Sequence, residues 1–266
     1  MGDVIAIASG KGGVGKTLFT ANAGAALASL KKSVALVDAD IGLRNLDLVM
    51  GMESRVKYTS ADVAEGKVKL KHALIRDSRY SNLYVLPAPQ QKNCTNLRDG
   101  GFQRITAKLA KVFDYVLIDC PAGIENGFSD AAACAEKIII VTLPEITAVR
   151  DADRVAKLLR KSGKRDLSLV VNRINYQYVK EGIMFSGNDV SKSLGLPLLG
   201  VIPDDYSAAL ALGKGELLDK GWLGGTILDT ARRITGNDVP LRTDNNAAVN
   251  AKGKFSLFNG KKWFPR

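Results

Sequence analysis

Gly10, Lys11, Gly12, Gly13, Val14, Gly15, Lys16 and Thr17 follow directly on the apolar run 4–8. Glycines at this spacing let the backbone close around an anion, because no Cβ blocks the approach. A strand that runs through such a loop into a helix points successive N–H groups, and the positive end of the helix, at a phosphate chain. Lys16 is then placed for the β- and γ-phosphates and the Thr17 hydroxyl for Mg²⁺. A glycine-rich turn that only packs would not need Lys16 and Thr17 together. The segment reads as a nucleoside triphosphate site, with the Leu18 N–H completing the cradle.

The carboxylates divide the remaining chemistry. Asp119 closes the apolar run 115–118, where an unpaired carboxylate would be costly; it either holds Mg²⁺ through a bound water or serves as a turn acid or helix cap. Asp38 and Asp40 stand two apart and point the same way in an extended chain. One can orient an attacking water while the other supports the metal shell or the loop. Phosphoryl transfer needs alignment and charge neutralisation more than covalent help. His72 is the single histidine, which makes a Ser-His-Asp relay or multi-histidine metal site a poor expectation; it reads as a surface residue. The run Asn172, Arg173, Ile174, Asn175 lacks the Asp with which guanine readers of the Asn-Lys-x-Asp type bind their base. The Asn172 amide can still pair with a purine edge, and adenine is favoured.

These residues must be positioned by a sheet. Strands are expected at 3–9, 33–38, 83–86, 114–119, 137–142, 167–172 and 198–202, most of them continuously apolar, as strands covered on both faces are. Helical stretches lie near 16–31, 102–112, 147–162 and 224–235. The alternation implies an α/β fold with a mostly parallel sheet and right-handed crossovers. Ligands in such sheets sit at the carboxyl ends of strands, where the loop 10–17, Asp38, Asp40, Asp119 and Asn172 all fall.

Lys11 by itself is either a solvated loop lysine or one that reaches phosphates bound by another subunit. The run 11–17 resembles the deviant Walker A motif of the MinD/ParA ATPases, in which the early lysine crosses the interface of an ATP-bound dimer. The resemblance continues on the MinD side of that family. Residues 38–47 are similar to its first switch and 119–125 to its second, and Pro144-Glu145 with 148–154 also matches. Val171-Asn172-Arg173 and 200–203, ending at Pro203, fit its base-binding strand ends. Together these landmarks span about residues 3–240.

The resemblance implies a P-loop NTPase of the MinD/ParA/nitrogenase iron protein-like type, hydrolysing ATP to ADP with Mg²⁺. It makes Asp40 the water-positioning residue and puts Asp38 near the γ-phosphate. It further implies a homodimer when ATP-bound and a role in division-site (septum) placement. The partners implied are a division inhibitor and an ATPase-stimulating protein of the Min type. The helix after Ala148, with Asp151 and Asp153 exposed, resembles the partner surface. The location implied is cytoplasm and inner membrane, or organelle stroma and inner envelope. A DNA-partitioning relative that binds DNA nonspecifically and a regulator of flagellar number or placement are the other readings. One departure stands out: relatives carry a second hydroxyl residue where this chain has Leu18, which removes a side-chain contact to the α-phosphate and predicts weaker binding.

With 266 residues, 46% hydrophobic and 24% charged, the chain can bury one large core. Residues 1–241 are assigned to an ATPase domain and 242–266 to a basic, aromatic tail. No basic n-region, myristoylation pattern or run near ~18 apolar residues is present. Cys94, Cys120 and Cys134 share no C-x-x-C spacing and read as buried free thiols; the glycine-rich cysteine contexts of the nitrogenase iron proteins are missing. The formal charge is +11. Arg242, Lys252, Lys254, Lys261, Lys262 and Arg266 face a single acid, Asp244, in the tail, which also holds Phe255, Leu257, Phe258, Trp263 and Phe264. Basic and aromatic residues together suit an anionic membrane surface, and relatives of the MinD type end in a membrane-targeting helix here. Gly260 and Pro265 weaken a helix. A tail packed on its own domain, or a nucleic-acid surface extended by Lys157, Arg160, Lys161, Lys164 and Arg165, are the alternatives; no sequence-specific nucleic acid is expected.

Overall fold

Alternation within each apolar run decides which face of the sheet every side chain enters. In the computed structural model, which describes residues 1–90, 97–124 and 127–242, eight strands form one sheet. They are β1 (Asp3–Ala8), β2 (Val34–Asp38), β3 (Ile75–Arg76), β4 (Leu83–Leu86), β5 (Tyr115–Asp119), β6 (Lys137–Thr142), β7 (Asp166–Ile174) and β8 (Leu198–Pro203). Their order across the sheet is β3-β4-β2-β5-β1-β6-β7-β8. Every pairing is parallel except β3 with β4.

The helices are α1 (Lys16–Ser29), α2 (Leu46–Val49), α3 (Ser60–Ala64), α4 (Leu70–Ala73), α5 (Phe102–Leu109), α6 (Phe128–Ala133), α7 (Ile146–Lys161), α8 (Tyr176–Lys180), α9 (Gly187–Leu194), α10 (Tyr206–Lys214) and α11 (Gly221–Ile234). Two apolar layers result. Ala6, Ala8, Val37, Ile118 and Ile140 face one layer, closed by α5, α6, α7 and α9. Ile5, Ile7, Leu36, Leu117 and Ile139 face the other, closed by α1 and α11. Burial on both faces explains why these strands are apolar throughout rather than alternating.

The α/β expectation holds, and each expected strand is present within two residues of its expected ends. The two-residue β3 is too short for any periodic signal, and the short helices α2, α3, α4 and α8 carry none either. Among the described residues no helix is long and apolar enough to cross a membrane. Cys94, most of the tail, and its Phe255, Leu257, Phe258, Trp263 and Phe264 lie outside the described residues.

Candidate active site

β1 lies between β5 and β6, so the chain leaves it at the point where connections diverge to either side. Open α/β sheets present a crevice there. The loop that follows β1 ends at Gly15, whose φ of 91° is a left-handed conformation that other residues adopt at a cost. A Cβ at Gly15 would also stand 2.3 Å from the Asn172 amide nitrogen. No side chain caps α1, so the N–H groups of its first turn point at whatever the loop encloses. Gly10 touches α7 instead: a Cβ there would be 2.3 Å from the Asp151 carbonyl carbon. Lys11, Gly12 and Gly13 are exposed while Val14 and Lys16 are buried.

Lys16 and Thr17 both turn to Asp119. The Lys16 ammonium lies 2.8 Å from Asp119 Oδ1, and the Thr17 hydroxyl donates to Oδ2 at 2.7 Å. Burial works against the charge on Lys16, but the Asp119 carboxylate outweighs it and holds the ammonium above its ordinary range. The Thr20 hydroxyl, one turn on, donates to Asp119 Oδ1 at 3.1 Å and to the Lys16 carbonyl at 3.0 Å. Thr20 was not among the expected site residues. Its spacing of four from Lys16 puts it on the same helix face, a signal the motif does not include.

Asp38 sits directly across from Asp119 in the β2–β5 register. Its Oδ1 accepts from the Asp40 N–H at 2.9 Å and Oδ2 from the Leu46 N–H at 3.1 Å, so Asp38 ties down both ends of the segment that carries Asp40. Burial, with the Asp119 charge added, pushes Asp38 up to about 7. Asp40 is half-buried and raised by burial, with Lys16 pulling it down and Asp119 pushing it up. It therefore lies within the field of the Lys16–Asp119 pair, where a water-aligning carboxylate belongs.

On the far side of the loop a cleft of about 390 Å³ is lined by Gly15, Leu18, Asn172, Arg173 and Pro203. Phe19, Ile202, Leu223 and Ile227, which sequence reasoning missed, supply its apolar walls. Two apolar walls and a few polar groups suit a purine ring. Leu18, which removes a hydroxyl from the phosphate end, contributes to the cleft instead. Asn172 braces the loop: its amide donates to the Val14 carbonyl at 2.8 Å and its oxygen accepts from the Arg173 N–H at 2.9 Å. One N–H and one lone pair remain for a base edge. Arg173 takes a left-handed φ of 57° and is exposed at the rim.

The residues fit a magnesium nucleotide. Thr17 and Asp119 offer the hard oxygen donors that Mg²⁺ prefers, Lys16 a cation, and the uncapped helix an anion cradle. Elsewhere the structure corrects several expectations. Asp153 is buried and paired with Lys157 at 2.6 Å, and Asp151 is only partly exposed, pairing with Arg154; the outer stripe of α7 is Ile146, Arg150, Arg154 and Lys157. The basic patch is partly committed to local structure: Arg160 donates to the Gly195 carbonyl and Lys164 to those of Ala133 and Ala135. Cys120 is buried, its thiol pushed by burial up to about 12, whereas Cys134 is only partly buried, short of the full burial expected. His72 is at the surface as expected.

Residues 5–218 match the family described as the CobQ/CobB/MinD/ParA nucleotide binding domain. The chain is 46% identical over 245 residues to the septum site-determining protein MinD of Synechocystis, covering 91% of this chain and 92% of that one. MinD in the Aquifex aeolicus MinC:MinD cell division protein complex superposes with a TM-score of 0.84 at 42% identity, covering 91% of this chain and 99% of that one. The Pyrococcus horikoshii septum site-determining protein MinD complexed with Mg-ADP superposes with a TM-score of 0.79 at 30% identity, covering 88% and 96%.

Proposed function

The chain belongs to the MinD family of CobQ/CobB/MinD/ParA nucleotide-binding proteins, and from that premise we propose that it is an ATP-driven membrane switch that places the division septum. It is a P-loop ATPase that uses ATP and Mg²⁺. One observation carries the catalytic reading: Asp119 holds the Lys16 ammonium and the Thr17 hydroxyl together at the carboxyl end of β5. Thr17 and Asp119 would hold Mg²⁺, which would supply positive charge to the phosphate chain. Lys16 adds its charge to the same oxygens, Asp40 aligns the attacking water, and Asp38 fixes the segment that carries Asp40. Asn172 and the apolar cleft seat the adenine.

Lys11 is exposed on the outer side of the loop, which leaves its ammonium available to a second copy. Two copies joined across bound ATP would each lend Lys11 to the other's phosphates. The same dimer pairs two basic, aromatic tails. One short anchor attaches weakly and reversibly, whereas two on one body act at high effective concentration. ATP thus favours the membrane, and hydrolysis releases it. The outer face of α7 is the surface we assign to a division inhibitor, the kind of partner with which the relative in the MinC:MinD complex is solved; a stimulating partner acts on the same cycle. The protein then shuttles between cytosol and inner membrane, or between stroma and inner envelope.

Sedimentation with anionic vesicles, paired with light scattering in solution, tests this. Wild type should dimerise and pellet with MgATP but not MgADP. Asp40→Ala should remain dimeric and pelleted, while Lys11→Ala and Lys16→Ala stay monomeric and in the supernatant. Equal pelleting in both nucleotides, or a Lys11→Ala dimer, overturns the switch.

A further inference from the structure

A second concavity lies at the opposite side of the sheet from the α11 edge, and nothing in ATP chemistry uses it. It has a volume of about 180 Å³ and is lined by Arg55, Lys57, Tyr58, His72 and Arg76 together with residues 73–75. From β3 to β1 the sheet crosses four strand spacings, which at ~4.8 Å each separate it from the phosphate loop by about 19 Å.

Three features single it out. First, its polar side chains come from three separate segments: the cations Arg55 and Lys57 from 53–57 and Arg76 from strand β3, with His72 from helix α4. Second, no acid lines it, and three nearby acids are committed elsewhere. Asp77 pairs with Arg79, Asp62 caps α3 through Thr59 and Glu65 pairs with Lys67. Like charges that converge without a counter-charge repel one another until an anion joins them. Third, the edge strand frames the site. Ile75 and Asp77 bond toward β4, so the alternation of an antiparallel pair turns the Arg76 N–H and carbonyl to the outer edge. The Arg55 guanidinium donates to that carbonyl at 2.7 Å, which caps the edge and fixes Arg55 over the pocket.

We propose that this pocket binds a phosphate group carried by a ligand other than the hydrolysed nucleotide. Guanidinium forks suit tetrahedral phosphate oxygens, Lys57 adds a point charge, and the Tyr58 hydroxyl and outward Arg76 N–H are neutral donors. The volume holds one phosphate with a few waters, taking ~30 Å³ per water. The phosphate is either free in solution or the headgroup of an acidic lipid. The inference stands independently of the membrane reading of the tail.

The test uses the full chain saturated with a non-hydrolysable MgATP analogue, so that the α-, β- and γ-phosphate positions are all filled. Uptake of radiolabelled inorganic phosphate is measured by equilibrium dialysis, and binding of a monomeric short-chain phosphatidic acid, which needs no membrane attachment, is measured by calorimetry beside it. The double variant Lys57→Gln/Arg76→Gln is compared with Lys108→Gln/Lys111→Gln, which removes the same charge from the exposed side of α5 and its end. All four side chains are exposed; Arg76 also donates to the Ser81 carbonyl at 2.9 Å, so urea titration of each variant checks that the fold is intact. At least tenfold weaker binding in the pocket variant, with the control like wild type, supports the site; loss in the dialysis arm identifies free phosphate and loss in the calorimetry arm alone identifies lipid. Unchanged binding in both arms, or equal loss in the control, overturns it.

Discussion

Asp38 and Asp119 face each other in register at the ends of neighbouring parallel strands, yet their carboxylates point to different tasks. Asp119 gathers three side-chain donors, Lys16, Thr17 and Thr20. Asp38 accepts two backbone N–H groups and thereby shapes the loop between them. Charge at the site is thus concentrated on one acid, while the other acts as a brace.

Asp119→Asn removes the charge that holds the Lys16 ammonium and halves the acceptor capacity facing Thr17. Steady-state phosphate release should fall by about 10²–10³-fold, the scale of losing one preorganised charged contact. Thr20→Val removes only one hydroxyl donor, worth about 1 kcal/mol, and should slow release no more than about tenfold.

Asp38 makes the ligand-free protein less stable as pH rises. Its folded value is raised to about 7 from 3.8, so the native state binds the proton more tightly than the unfolded chain. The stability this confers is full below the unfolded value and is lost as pH climbs through about 7. At about 1.4 kcal/mol per pH unit the ceiling is about 4 kcal/mol. Asp38→Asn cannot ionise, so urea titrations should show it gaining stability relative to wild type between pH 4 and 8. A constant gap would contradict this account.

Asn172→Ala strips the phosphate loop of its brace at the Val14 carbonyl. Losing a buried hydrogen bond costs about 1–2 kcal/mol, so fluorescence titration with a labelled ADP should give roughly tenfold weaker binding. Gly15→Ala combines a left-handed φ with a collision against the same amide and should bind still more weakly.

Arg242, the last described residue, holds the root of the tail. Its guanidinium pairs with Asp229 and lies 5.7 Å from the Trp222 ring centre, and Tyr176 donates to its carbonyl at 3.2 Å. Arg242→Ala should cost about 1 kcal/mol, a melting temperature about 2–4 °C lower. Burial opposes the Asp229 charge, but Arg242 and Arg232 together hold its carboxyl below the usual range. That stability is present above the unfolded value and lost as pH falls toward the folded one, so calorimetry should show the gap between variant and wild type closing in acid.

Much of this protein is legible in its order of residues. The phosphate loop is a local device, because Gly15, Lys16 and Thr17 are consecutive and their geometry follows from a strand–loop–helix turn. The buried strands announce themselves as unbroken apolar runs, since both faces are covered. What the linear order does not contain is direction. That the Asp38 carboxylate accepts from the Asp40 and Leu46 N–H groups depends on where α2 begins. Whether Asp153 is exposed depends on the lean of α7 and the reach of Lys157. The convergence of Thr20 on Asp119, of Asn172 on Val14, and of Arg55, Lys57, His72 and Arg76 on one hollow joins segments that only packing brings together. Hydrogen bonds and ion pairs act over a few ångströms of space, so only the tertiary structure decides which distant residues share them.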